Sequence, residues 1–289
     1  MSLLNVVILA IVQGLAELLP VSSSAHVVVA EKLLGLDPSS PPMTLLLVML
    51  HTGTMFAVIV YFWRQWRGTY FASLAAFKTF AGQVIVATLL TGIVGEGLIM
   101  IVKRTLLRGV PHSEIEDLFG HLEFIAPALA AAGLLILVAG LYERRKAPVA
   151  ARAAEGGLTL GRAGIIGMVQ GLCLPFRGFS RSGATISAAM LLGVAKSRGE
   201  SFSFALAVVL TPPVVLREVL RLLHAPHPAA GDLTAAALSS LLGAVLAFGA
   251  GLVALKWLSG WLERGRWYLF GVYCLVAAIA VAGLHQAGY

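Results

Sequence analysis

Of the 289 residues, 58% are hydrophobic and only 12% are charged, with a mean hydropathy of +0.89. That leaves too few charges to cover a soluble globule of this size, so a bilayer has to be the solvent. A formal net charge of +7 would also suit nucleic acid. However, Lys and Arg stand in short clusters between apolar runs, the pattern of loops kept on the cytoplasmic side, and a nucleic-acid partner is excluded.

No Lys or Arg precedes Lys32, whereas a secretory signal opens on a basic patch, so the first apolar stretch is expected to remain in the mature protein. Residues 3–36 are apolar at both ends but interrupted in the middle by Ser, Pro, Gly and an ionisable residue. Such a stretch cannot be one straight crossing, and a re-entrant helical hairpin is predicted instead. Continuous apolar runs follow at 43–63, 79–102 and 122–142. Each has about the 20 residues that a helix needs to cross the hydrocarbon.

Residues 165–194 repeat the interrupted pattern, and three further runs follow at 201–216, 233–255 and 267–284. Pro212 and Pro213 are expected to kink the first of these. Trp63, Trp66, Trp257, Trp261 and Trp267 fall at run ends, where an aromatic belt would put them. Cys173 and Cys274, the only thiols, stand far from any His/Cys cluster and are read as buried packing residues rather than a zinc site or a disulfide.

The two interrupted regions also resemble each other. Val12-Gln13-Gly14-Leu15 recurs as Val169-Gln170-Gly171-Leu172, and Leu33-Leu34-Gly35-Leu36 recurs as Leu191-Leu192-Gly193-Val194. The chain is therefore predicted to be a single membrane domain, 1–289, built by duplication. Repeat one covers 1–145 with its hairpin at 3–36, and repeat two covers 160–289 with its hairpin at 165–194. Three crossings after each hairpin force the second copy in from the opposite face. The expected fold is all-α and polytopic: an inverted-topology repeat of six full spans plus two re-entrant hairpins. Under this topology Arg64, Arg67, Lys78, Arg144, Arg145, Lys146, Arg152, Arg162, Lys196, Arg198, Lys256, Arg264 and Arg266 share one face. The poorer face has Lys32, Lys103, Arg104, Arg108, Arg217 and Arg221. The richer face should be cytoplasmic, which puts both termini on the outer side.

In the first hairpin Gln13 and Glu17 are four apart and share a helix face, where they could hold a cation or a proton together. Pro20 is a natural end for the first helix. Ser22, Ser23 or Ser24 can cap the returning one, which leaves His26 in or near its first turn and exposes amides to an anion. In the second hairpin Ser180-Arg181-Ser182-Gly183 at a helix start suits a phosphate. The hydroxyls of Ser180, Ser182 and Thr185 can donate, Gly183 lets the backbone approach, and the guanidinium of Arg181 can grip two oxygens. A pyrophosphate held between the two helix starts is the ligand these turns suggest.

An ionised Glu17 or Arg181 near the bilayer centre costs at least about 2.5 kcal/mol, which marks both as functional unless they form a structural pair with each other. Single serines in membrane helices often do no more than bond the backbone. Arg177 could bind phosphate or snorkel to an interface. Elsewhere the plainer assignment is preferred. Glu96 is expected at headgroup level, His51 and Thr52 are expected to pack and hydrogen-bond between helices, and His112, His121, His224, His227 and His285 are expected to be solvated. Glu114, Glu116 and Asp117 form a hydrated acidic loop.

These motifs resemble the undecaprenyl-pyrophosphate phosphatase family, the bacitracin-resistance proteins, over almost the whole length. Gln13 to Glu17 is similar to the family's Glu/Gln-x-x-x-Glu element, Pro20 to His26 to its Pro-Val/Ile-Ser-Ser-Ser/Thr-Gly-His stretch, and Gly178 to Gly183 to its Gly-x-Ser-Arg-Ser-Gly motif. His51-Thr52-Gly53-Thr54, Ala57 and Phe62-Trp63-Arg64 add to the likeness. Ala25 stands where the family has Gly, and Arg177 where it has Pro.

The resemblance implies hydrolysis of undecaprenyl pyrophosphate to the monophosphate carrier of cell-wall lipid intermediates, in the bacterial inner (cytoplasmic) membrane, with a divalent cation, Mg²⁺ or Ca²⁺. It implies polyprenyl pyrophosphate and membrane lipid as partners, and a homodimer is left open. The preferred arrangement makes Ser23 the nucleophile, with Glu17 as its base or as a metal ligand beside Gln13. His26 protonates the leaving oxygen or orients Ser23, and Arg181 spreads the phosphoryl charge. Ser22, Ser24, Ser180, Ser182, Gly183 and Thr185 would bind phosphate. A nucleophilic His26 and direct attack by water remain open, as does a transporter or flippase built on the same repeat. Acid-phosphatase-like lipid phosphatases rank last, because their downstream His-x-x-x-Asp and upstream Lys/Arg-Pro elements are missing.

Overall fold

A computed structural model describes residues 2–37, 40–106, 121–150, 157–224 and 230–288. The described residues contain helices and no strands. Arg108, His112, Glu114, Glu116, Asp117, Arg152 and His227 lie outside them. Among the described residues, six helices are long and apolar enough to cross a membrane: α3 (Pro41–Thr69), α4 (Leu74–Leu106), α5 (Leu122–Ala150), α8 (Lys196–His224), α9 (Ala230–Glu263) and α10 (Tyr268–Gln286). Single helices are the expected form, because each satisfies its own backbone hydrogen bonds without water.

Both interrupted regions are broken helix pairs. In the first, α1 (Leu3–Leu18) stops at Leu19, directly before Pro20, and α2 (Ser23–Leu33) begins after Ser22. In the second, α6 (Leu160–Leu172) is followed by a turn through Pro175 and Gly178, and α7 (Arg181–Leu191) begins after Ser180. The recurring sequences fold alike. After α2, Gly35 adopts φ +64°, its amide donates to Lys32 O, and the Leu36 amide donates to Glu31 O. After α7, Gly193 adopts φ +70°, its amide donates to Met190 O, and the Val194 amide donates to Ala189 O. Both are the same glycine-terminated helix end, which needs a residue able to take the left-handed conformation.

The other recurrence sets the packing. Gly14 of α1 lies so close to the Ala247 carbonyl of α9 that no Cβ would fit, and Gly171 of α6 lies in the same way against the Thr91 carbonyl of α4. Each broken pair thus leads with a helix packed on the middle long helix of the other half of the chain.

Two tryptophans depart from the belt expectation. Trp66 and Trp267 are buried, at 6% and 0% exposure, because their indole N–H groups have partners across the bundle: Trp66 Nε1 donates to Ser201 Oγ at 2.9 Å and Trp267 Nε1 to Ser187 Oγ at 3.0 Å. Trp63 and Trp257 are exposed. Cys274 is buried, its thiol 3.3 Å from the Pro20 carbonyl, while Cys173 is only half-buried. Helix α8 runs on through Pro212 and Pro213, although each proline removes an amide that would bond a carbonyl four residues back. Glu96 is exposed.

Candidate active site

The turn of α1 and α2 touches the turn of α6 and α7. Arg181, the first residue of α7, donates from Nη2 to Glu17 Oε1 at 2.6 Å. Ser182 Oγ donates to the Leu19 carbonyl at 3.3 Å, and the Gly178 amide donates to Ser24 Oγ at 3.3 Å. Gly178 has φ +102°, and a Cβ there would strike the Ile125 carbonyl of α5. Glycine is therefore what lets this turn thread between α5 and the first turn.

Glu17 is the centre of the constellation. Its Oε2 accepts from Ser23 Oγ at 2.5 Å and from Gln13 Nε2 at 3.2 Å, while Oε1 holds Arg181. The pair is only partly accessible, with 15% of the Glu17 side chain and 26% of Arg181 exposed. A charge-assisted bond in such surroundings is stronger than in water, and removal of either partner strands the other. The short Ser23 to carboxylate bond is the geometry of a hydroxyl and its base.

The caps do what their positions demand. Ser22 takes φ +69°, unusual for a residue with a side chain, and its Oγ accepts from the Ala25 amide at 3.4 Å. Ser180 Oγ accepts from the Gly183 amide at 3.2 Å. A Cβ on Gly183 would collide with Ile136 and with Ser180 Oγ, so glycine keeps this helix start tight.

Accessibility divides the candidate residues into two groups. Glu17, Ser23, Ser24, His26 and Arg181 are half-buried at the meeting point, whereas Gln13, Ser22, Ser180, Ser182, Gly183 and Thr185 are buried. Thr185, with no exposed surface, bonds to the Arg181 carbonyl at 2.8 Å and to Ser203 Oγ of α8 at 2.6 Å. It sits beneath the start of α7 and fixes Arg181 from behind. His26 bonds to the Ser22 carbonyl through Nδ1 at 2.8 Å and to the Tyr273 hydroxyl of α10 through Nε2 at 2.7 Å. Neither nitrogen bonds to Ser23. Arg177 lies in the second turn, within electrostatic reach of the buried Glu31 of α2.

The sequence sets His51 among packing residues and does not single out Tyr273, yet both lie beside candidate residues. His51 reaches from α3 to Glu17 of α1, though without the expected hydrogen bond between helices. Its Nδ1 bonds within α3 to the Leu47 carbonyl at 2.8 Å, and its Nε2 stands 3.8 Å from Glu17 Oε2. Thr52 likewise bonds within α3, to the Val48 carbonyl. A cavity of about 20 Å³ opens beside Glu17, His51 and Arg181, walled by Val58 of α3 and Val208 of α8. That is room for a single water.

A divalent cation finds few protein ligands. Among the described residues no group of three or more His, Cys, Asp and Glu side chains gathers at one point. Both Glu17 oxygens are engaged, and Gln13 is 1% exposed. Glu17 is the carboxylate at the meeting point that could contribute to a cation carried on a ligand's phosphate oxygens.

A family model described as "Bacitracin resistance protein BacA" matches residues 6–280. Undecaprenyl-diphosphatase 2 of Acinetobacter baylyi is 57% identical over 280 residues, 95% of either chain. Undecaprenyl-diphosphatase 1 of Burkholderia pseudomallei is 34% identical over 294 residues, 98% of this chain and 97% of that one. Undecaprenyl-diphosphatase 2 of Burkholderia thailandensis is 34% identical with the same coverage.

Proposed function

Because the chain belongs to the BacA family of bacitracin-resistance proteins, we propose that it hydrolyses undecaprenyl pyrophosphate to undecaprenyl phosphate and inorganic phosphate in the bacterial cytoplasmic membrane, recycling the lipid carrier for cell-wall synthesis. The observation that carries this reading is the sharing of Glu17 between the Ser23 hydroxyl at 2.5 Å and the Arg181 guanidinium at 2.6 Å. Ser23, Glu17 and Arg181 thus stand together as a nucleophile, its base and a cation for a phosphoryl group would need to.

In this mechanism Ser23 Oγ attacks the terminal phosphorus as its proton passes to Glu17, and the prenyl monophosphate leaves. Arg181 turns from Glu17 to the phosphoryl oxygens as charge builds on them, helped by the amides at the start of α7. A divalent cation, Mg²⁺ or Ca²⁺, held by Glu17 and the diphosphate with Gln13 behind, would add charge neutralisation. The hydroxyls and amides of Ser22, Ser24, Ser180, Ser182 and Gly183 shape the phosphate cradle, and Thr185 steadies it from below. His26 takes the proton of the water that hydrolyses the phosphoserine, which frees inorganic phosphate. The prenyl tail stays in lipid, which explains why such a hydrolase is embedded.

The two broken pairs are read as re-entrant hairpins of an inverted repeat, 1–145 and 160–289, whose turns meet near the midplane. The exchanged packing of α1 on α9 and α6 on α4 supports this. So does the gathering of charged helix ends. Gln65, next to Arg64 near the end of α3, bonds to the Ser197 carbonyl at the start of α8, and Lys196 bridges to Glu143 of α5 at 3.3 Å. That face is assigned to the cytoplasm and both termini to the outer side, so a C-terminal tag should be reached by an external probe. A tag reached only from the cytoplasm refutes the assignment. The functional test is release of inorganic phosphate from a prenyl pyrophosphate by purified protein in detergent. A transporter or flippase without hydrolytic activity would release none.

A further inference from the structure

Resting on the reading of this site as a diphosphatase, we propose that Tyr273 is a positioning residue for His26. With the Ser22 carbonyl keeping the hydrogen on Nδ1, the Tyr273 hydroxyl fixes Nε2 in place as the reactive nitrogen.

His26 Nδ1 lies 2.8 Å from the Ser22 carbonyl oxygen. A carbonyl can only accept, so this nitrogen carries the hydrogen. The neutral ring then has its lone pair on Nε2, where the Tyr273 hydroxyl, 2.7 Å away, donates to it. The two rings also stack, with centroids 5.7 Å apart and planes inclined by 13°. Imidazole rotation would break both hydrogen bonds and the stack together.

Tyr273 is 47% exposed, yet its place is not incidental. The next residue, Cys274, is fully buried and directs its thiol to the Pro20 carbonyl in the same turn. Helix α10 is itself locked to α5 where Gly133 and Gly271 bring the backbones too close for a Cβ. Two consecutive residues of α10 thus register the first turn, one on Pro20 and the other on His26. The bond from His26 also ties down the carbonyl of Ser22, the one described non-glycine residue with positive φ. Ser23 leaves His26 free for another task, since its hydroxyl goes to Glu17. Only Nε2 can accept a hydrogen from a water, by exchange with the phenol, because Nδ1 faces the backbone.

The test pairs nitrogen NMR with kinetics. Wild type and Tyr273→Phe are labelled with ¹⁵N-histidine in detergent, and the His26 signals are assigned by their loss in His26→Gln. The wild type should show His26 with a protonated Nδ1 and a bare, hydrogen-bonded Nε2. Tyr273→Phe keeps the ring stack and loses only the hydroxyl. Its Nε2 signal should shift to that of an unbonded acceptor, and kcat for a short prenyl pyrophosphate should fall about tenfold with KM little changed, the size of one lost hydrogen bond. A protonated Nε2 in the wild type overturns the proposal, as does a Phe variant with wild-type nitrogen shifts and kcat. If the wild type releases no phosphate at all, the diphosphatase reading fails, while the nitrogen spectra still decide whether Tyr273 holds Nε2.

Discussion

Glu17 and Arg181 stand 164 residues apart in the chain and 2.6 Å apart in space. The contact joins two helix turns that each look unremarkable alone, and every catalytic assignment above depends on it. A carboxylate and a guanidinium that neutralise each other at rest, with a hydroxyl bonded to the same carboxylate, are poised to separate when a diphosphate brings its own negative charge.

Arg181→Lys keeps the charge but loses the planar fork that can grip two phosphoryl oxygens at once. Phosphate release should fall by roughly 10²-fold or more, with the protein still folded. Steady-state kinetics beside a thermal melt measure both, and an active lysine variant would reduce Arg181 to a structural partner of Glu17.

If Ser23 is the nucleophile, rapid acid quench with substrate labelled on the terminal phosphate should leave label on Ser23, since phosphoserine survives acid. Ser23→Ala should leave none. An acid-labile adduct on His26 would transfer the role to the imidazole, and no adduct under any quench would favour direct attack by water.

Gly178→Ala tests how the turns are held together. The residue lies at φ +102° with the Ile125 carbonyl where a Cβ would go, so the substitution should cost about 1–3 kcal/mol. The melting temperature should drop. Activity should fall with it, because the Gly178 amide bonds to Ser24.

Chelation separates the roles of cation and protein. Phosphate release should be suppressed by excess chelator and restored by Mg²⁺ or Ca²⁺, while the melting temperature without substrate stays nearly constant, because Glu17 is already satisfied by Arg181, Ser23 and Gln13. Full activity in chelator would remove the cation from the account.

Much of this arrangement is legible from residue types alone. Pro20 ends a helix because it has no amide to give, Ser22 and Ser180 begin helices because their hydroxyls accept from amides, and the repeated Leu-Gly steps at Gly35 and Gly193 terminate two helices in the same way. What stays hidden is the azimuth of each long helix. Continuous apolar runs carry no polar stripe to say which side faces protein, so nothing in the sequence turns His51 toward Glu17 or Tyr273 toward His26. The same ambiguity places Trp66 and Trp267 at a lipid interface when Ser201 and Ser187 in fact draw them inside. Thr185 looks like one more phosphate donor until its hydroxyl is found bonded beneath α7.

The most direct trial is a double-mutant cycle on phosphate release, comparing Glu17→Gln, Arg181→Lys and the two combined. Residues that act as a unit lose little more together than the worse of them loses alone. The double variant should be no slower than the slower single one by more than a few-fold, all three remaining folded. Losses that multiply independently, or a Glu17→Gln protein that turns over like the wild type, would contradict it.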